Sequence, residues 1–183
     1  MTRWVAFLRA INVGGHTVTM SRLRDLFGDL GLAGVETFIA SGNVVFDART
    51  TVAAPLERKI ERQLHQALGY EVKTFLRTGE EVAAISAHAA FTRPQLRTAV
   101  SLNVGFLEAP LTAPGVRSLR SLRTEFDEFT VHGRELYWLS RRGQGKSTFS
   151  NVVFERTVGA RITFRGLKTV SRLVAKYGFA VEA

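Results

Sequence analysis

Two helical stripes set among short β-forming runs constrain this chain more than any other feature. Leu23, Leu26, Phe27 and Leu30 fall at i, i+3, i+4 and i+7, one apolar face of a helix that Gly31 is placed to close. Leu56, Ile60, Leu64 and Leu68 recur every four residues along a second helix ending at Gly69. Before the first stripe stands the almost unbroken apolar run Trp4-Val5-Ala6-Phe7-Leu8, which reads as a strand buried on both faces. Between the stripes, Val35–Ile39 and Val44–Phe46 flank Ala40-Ser41-Gly42-Asn43, a hairpin pattern. After the second, Glu71–Leu76 reads as a partly exposed closing strand. The order is strand, helix, strand, strand, helix, strand. That is the ferredoxin-like arrangement, two helices covering one face of a four-stranded antiparallel sheet.

The second half repeats the plan. Thr78 and Glu81 form a capping-box pattern that predicts a linking helix through about Ala90, and Phe91-Thr92-Arg93-Pro94 breaks it. Val100, Leu102, Val104 and Phe106 alternate along a strand, and Leu119 and Leu122 mark a short helix. Phe129–Val131 and Leu136–Leu139 flank a His132-Gly133 hairpin turn. Ser147 is placed to cap a helix carrying Phe149, Val152 and Val153. Ile162–Phe164 forms a last strand, and Val170, Leu173 and Val174 face inward from a last helix. The expected fold class is α+β, with two ferredoxin-like (βαββαβ) subdomains over residues 1–92, including the linking helix, and 93–183. Their similarity is one of architecture, with no residue-level repeat.

Charge divides unevenly between these halves. The formal net charge is +9, yet residues 1–92 hold ten Lys and Arg against nine Asp and Glu, whereas 93–183 hold fifteen against seven. A basic half favours anionic partners such as phosphates, nucleotides or nucleic acid, and otherwise serves as a solubilising surface. Cysteine is absent, which removes disulfides, thiol catalysis and thiolate metal sites. No apolar run has the length of a membrane span, so no membrane partner is expected. Arg9, Asn12 and two glycines interrupt the opening apolar run where a signal peptide would be cleaved. The expected location is therefore cytoplasmic.

Topology nominates the first candidate site. In the ferredoxin-like order the first and third strands are central neighbours, so the loop after one and the turn before the other share an end of the sheet. That juxtaposes Arg9, Asn12, Gly14 and Gly15 with Ser41, Gly42 and Asn43. Arg9 supplies a forked donor for carboxylate or phosphate, and the amides both donate and accept. The alternative is that the asparagines and glycines only satisfy their own turns. A second candidate anion site lies in Ser140–Ser147, through Arg142, Gly145, Lys146 and Ser147. It ends in Gly-Lys-Ser as a phosphate-binding loop does, but Ser140 replaces the first glycine of that motif. A basic surface is expected from Arg165, Lys168, Arg172 and Lys176, the last three at i, i+4 and i+8.

Other chemistries lack support. His16, His65, His88 and His132 are scattered without metal-ligand spacing, and no metal is expected. Neither Gly-x-Ser-x-Gly nor Gly-x-Gly-x-x-Gly occurs, so no hydrolase elbow and no cofactor is expected. The aromatic pattern of RNA-recognition motifs is absent. Glu80-Glu81 reads as a first helical turn, and Asp127-Glu128 as an exposed strand edge. No catalytic residue can be named.

Several motifs together resemble a bacterial family of uncharacterised proteins, the domain of unknown function 1697 (DUF1697) family. They are Phe7-Leu8-Arg9-Ala10-Ile11-Asn12-Val13-Gly14-Gly15, then Met20, Leu23, Leu26 and Gly31, then Ser41-Gly42-Asn43-Val44-Val45-Phe46. Gly143-Gln144-Gly145-Lys146-Ser147 and Thr163-Phe164-Arg165 with Thr169-Val170 continue the likeness. The resemblance implies two ferredoxin-like subdomains and supplies no activity. One motif departs, since Arg165-Gly166-Leu167 stands where the family usually has Arg-Asn-Trp. The expected function is binding of a small phosphate- or carboxylate-bearing ligand. Nucleic-acid binding through the basic half, and an enzyme of unassigned reaction class, stay open.

Overall fold

The computed structural model describes residues 1–12, 14–39 and 42–181. The chain divides into two compact units, one of Met1–Ala83 with the segment from Tyr177 onward, the other of Ala84–Lys176. In the first unit the order is β1 (Thr2–Leu8), α1 (Met20–Gly28), β2 (Ala33–Thr37), β3 (Asn43–Ala48), α2 (Ala53–Leu68) and β4 (Thr74–Thr78). Then α3 (Gly79–Ala87) leads to the second unit, which continues with α4 (Arg93–Thr98), β5 (Ser101–Leu107), α5 (Ala113–Arg120), β6 (Asp127–His132) and β7 (Glu135–Ser140). It ends with α6 (Asn151–Val158), β8 (Ile162–Gly166) and α7 (Leu167–Tyr177). Each unit holds one four-stranded antiparallel sheet, ordered β2-β3-β1-β4 and β6-β7-β5-β8. Both are ferredoxin-like.

Alternation along the strands builds each core. Trp4, Ala6 and Leu8 point to one face of β1, where Leu23, Leu26 and Phe27 of α1 and Ile60 and Leu64 of α2 meet them. Thr19 caps α1 by accepting from the Arg22 amide, and Gly69 ends α2 in the left-handed conformation at φ 81°. Thr78 and Glu81 exchange capping-box bonds at the start of α3. In the second unit Leu107, Leu119, Leu136, Trp138, Phe149, Phe154 and Ile162 form the equivalent core. Phe149 lies at its centre, edge-on to Trp138 and Phe164 and tilted against Phe129.

Several expectations need correction. The break at Phe91–Pro94 is a helix start: Thr92 and Gln95 form a capping box and Pro94 occupies the first turn of α4. The β6–β7 turn is Gly133-Arg134, since His132 still pairs with Glu135. Ser150 caps α6 in place of Ser147, because α6 begins only at Asn151. β4 is buried, not partly exposed. Asp127 stands on an edge strand but is buried, not exposed: it accepts the Trp138 indole N–H at 2.7 Å and so anchors the core.

Two strand edges are closed by the same device. On β4 the outward N–H groups of Thr74, Leu76 and Thr78 donate to the carboxylates of Glu61, Glu57 and Glu81. On β8 the Ile162 N–H donates to Glu155 of α6, and the Ile162 carbonyl accepts from Asn151. A buried arginine caps one further carbonyl in each case: Arg77 on Leu76, Arg165 on Phe164, both at 2.8 Å. Arg77 faces Val5 in the register and Arg165 faces Val104, so the two are structurally equivalent. The repeat that composition hides is therefore present in hydrogen bonding.

Candidate functional site

At the end of β1 the chain is tied to both neighbouring strands. The Leu8 N–H donates to the Gly42 carbonyl and the Arg9 N–H to that of Lys73, each at 2.8 Å. Phe7 opposes Asn43 in the register. The loop after β1 and the turn before β3 thus share this end of the sheet, as the strand order requires. Arg9 is half-buried here, and Gly14 and Gly15 are exposed. Ser41, the remaining residue of the candidate set, lies outside the described residues.

Backbone geometry is unusual in both segments. Among the described residues the non-glycine positions with positive φ are Ala10, at 63°, and Ile39, at 59°. The left-handed region costs an L-residue about 1–2 kcal/mol, and a β-branched side chain is a genuine outlier there. Ile39 is also 42% exposed, so no core packing explains its position. Gly42, at φ 74°, is required on two counts. A Cβ on it would lie 2.7 Å from Ile11 Cγ2 and 3.2 Å from Leu8 Cβ.

The two asparagines hold their own loops. Asn12 Oδ1 accepts from the Val18 N–H at 2.8 Å, closing the loop that leads into α1. Asn43 has no exposed surface; its amide donates to the Phe38 carbonyl, while Phe38 N–H donates back to the Asn43 carbonyl. Asn43 shapes the turn and is out of reach of a ligand in solvent. Gly14 and Gly15 are exposed here, and Arg9 and Asn12 are half-buried beside them.

Two residues absent from the expected set join them. The Tyr70 hydroxyl donates to the Ile11 carbonyl at 3.0 Å, and the His16 ring stacks on Tyr70 with centroids 3.9 Å apart. Burial raises the Tyr70 phenol above its ordinary pKa, keeping it a donor. The α2–β4 connection ends beside the β1–α1 loop by topology, which was the available signal for Tyr70. Lys73 of the same connection pairs with Glu61 at 3.1 Å.

The second candidate loop is differently built. Gly143 has φ 84°, and Gln144–Lys146 forms one 3-10 turn. Lys146 and Gly145 are exposed, and the Arg142 guanidinium lies over the Phe126 ring at 3.3 Å. Ser147 donates to Asp127 Oδ2 at 2.9 Å, so its hydroxyl faces a carboxylate. Nearby, the hydrogen bond from Arg141 holds Glu128 below the usual carboxylate range, with further help from Gln95 and the Arg141 and Arg123 charges against the opposing effect of burial.

Of the expected basic surface, Lys168, Arg172 and Lys176 are exposed along α7. Arg165 is not part of it. It is 8% exposed, its guanidinium bonds Thr163 and the Phe164 carbonyl, and burial pushes its pKa down to about 10. Among the described residues no cluster of three or more His, Cys, Asp or Glu could hold a metal ion, and no helix is long and apolar enough to cross a membrane.

The comparisons agree with this picture at the level of fold. A solved structure of a conserved bacterial protein from Streptococcus pneumoniae is similar at a TM-score of 0.73 and 23% identity, covering 97% of this chain and 99% of that one. Among curated proteins none matches the chain. The family profile described as protein of unknown function (DUF1697) matches residues 1–137, which include the whole β1–α1 loop and β2–β3 turn, and the chain belongs to that family.

Proposed function

We propose that the first unit binds a small phosphate- or carboxylate-bearing ligand where the β1–α1 loop meets the β2–β3 turn. The observation that carries this reading is the pair of left-handed non-glycine residues, Ala10 and Ile39, in these two segments. Strain of this kind persists where surrounding structure imposes it, and it concentrates at binding sites. Arg9 supplies the anion-recognising fork, Gly14 and Gly15 supply accessible backbone, and Asn12, Gly42 and Asn43 keep the loops in place. Ser41 completes the set by sequence.

Titration calorimetry with inorganic phosphate, pyrophosphate, nucleotides and dicarboxylates tests it. A ligand is expected that binds the intact protein and loses at least tenfold in affinity in Arg9→Ala, with partial recovery in Arg9→Lys. Undiminished binding in Arg9→Ala overturns the assignment. Should that binding fall instead in Lys146→Ala, the Arg142, Gly145, Lys146 and Ser147 loop is the anion site.

A second reading, nucleic-acid binding, draws on one observation: Lys168, Arg172 and Lys176 stay exposed on α7 at helical spacing. Phosphate contacts release counterions, so affinity for a duplex or single strand should fall steeply with salt. A flat salt response, or no retardation in a gel, removes this reading.

A further inference from the structure

Four strands edge the two sheets, and three are blunted. On β4 and β8, carboxylates and arginines occupy outward backbone groups, as described above. β2 carries a register shift between Ala33 and Glu36, the bulge that disrupts edge pairing. β6 differs. Its six residues pair with β7 without a shift. The Arg141 N–H donates to the Phe126 carbonyl, which sets the alternation of the ladder. Glu128, Thr130 and His132 therefore turn their backbone groups toward β7. Phe129 and Val131 turn theirs outward, where no described residue bonds them.

Beside this open edge lies a groove of about 480 Å³ between α5 and β6. Val116, Leu119, Phe129 and Val131 form its apolar floor, and Arg120 and Arg123 its rim. Arg123 leans on Glu128 at 3.4 Å, while Arg120 makes no ion pair among the described residues. Arg117, one turn before Arg120, is exposed as well.

We infer that β6 accepts an extended acidic segment of another protein as an added strand, with an apolar side chain of that segment seated in the α5–β6 groove. Main-chain bonds to Phe129 and Val131 supply the pairing, and the alternate side chains supply selectivity. Charge decides the occupant. Two copies of this chain joined edge to edge would bring Arg120 and Arg123 of each toward the other, whereas a segment with Glu or Asp flanking an apolar residue neutralises them.

The test uses the whole protein, isotopically labelled, and an end-blocked peptide of alternating Glu and Val, eight residues long. Its binding is expected to slow amide exchange of Phe129 and Val131 at least tenfold, leaving Thr130 unchanged. Affinity should fall at least tenfold in Val131→Pro, which removes an outward N–H without touching the β7 ladder. Arg120→Glu, an exposed change that leaves the strand intact, should weaken the same peptide at least fivefold. A matching Lys and Val peptide should bind at least tenfold more weakly. Three results overturn the inference: equal binding of the Lys peptide, exchange at Phe129 and Val131 untouched by saturating Glu peptide, or self-association lost in Val131→Pro without any peptide binding.

Discussion

Substituting Gly42 by Ala separates two demands that the turn before β3 makes on one residue. The first is conformational, since φ 74° costs an L-residue about 1–2 kcal/mol. The second is steric. The new Cβ would sit 2.7 Å from Ile11 Cγ2 and 3.2 Å from Leu8 Cβ, both in fully packed positions, and overpacking of this kind costs about 1–3 kcal/mol. The expected loss is therefore about 2–5 kcal/mol. Gly14→Ala is the control. It has a comparable φ of 64° with nothing within 4 Å of its Cβ, so it should lose only the first component, about 1–2 kcal/mol. Native-state hydrogen exchange at Val5 and Val45, central in the first sheet, reports the stability of this unit separately from the other. If Gly42→Ala loses no more than Gly14→Ala, the close approach of the two segments is not as described, and the juxtaposition behind the proposed site falls with it.

Two further perturbations address other parts of the molecule. Glu57→Ala leaves the buried Leu76 N–H without its 2.8 Å acceptor, at an expected cost of about 1–3 kcal/mol, whereas Glu57→Gln keeps a side-chain carbonyl there; accelerated exchange of the Leu76 amide in the alanine variant only is the expected result. His88 is held below its ordinary pKa by burial and then by the His132 ring stacked on it, partly opposed by Glu135. Its folded pKa lies below the unfolded value, so its contribution is complete above about pH 6.5 and is lost as pH falls through the folded pKa. A thermal melt series from pH 8 to 5 should show a shallower decline in His132→Gln than in the parent, and an equal decline would remove His132 as a cause.

The parts of this fold that were readable beforehand are those in which local pattern and global order agree. The spacing of Leu23, Leu26 and Phe27 and of Leu56, Ile60 and Leu64 gave two helices and one shared core face. The juxtaposition of Arg9 with Gly42 and Asn43 then followed from strand order alone. What escaped has a physical reason in each instance. α4 spans six residues, too few for a stripe, and its Pro94 stands in the first turn where proline is tolerated, so a start signal looked like a break. Ser147 and Ser150 stand three residues apart just before the apolar run, and only the 3-10 turn that ends at Ser147 and its bond to Asp127 separate their roles. Arg165 read as surface charge because its partners, the Phe164 carbonyl and the Thr163 hydroxyl, are neutral groups that leave no charge pattern in the sequence. His16 and Tyr70 meet through tertiary stacking that no spacing encodes.

The closure of the β4 edge also bears on how the chain reaches this state. Glu61 and Thr74 are 13 residues apart, and Glu57 and Leu76 are 19 apart, so the seal spans a short loop and carries a small closure entropy. Helix α2 and strand β4 can make it between themselves, before β1 has joined β3. An emerging or partly unfolded chain that has formed this pair already has the hydrogen-bonding side of β4 occupied. The edge exposed to neighbouring chains is then the inner one, which β1 covers next. Local carboxylates thereby act as built-in protection against strand-to-strand aggregation during folding, in addition to finishing the sheet once folded.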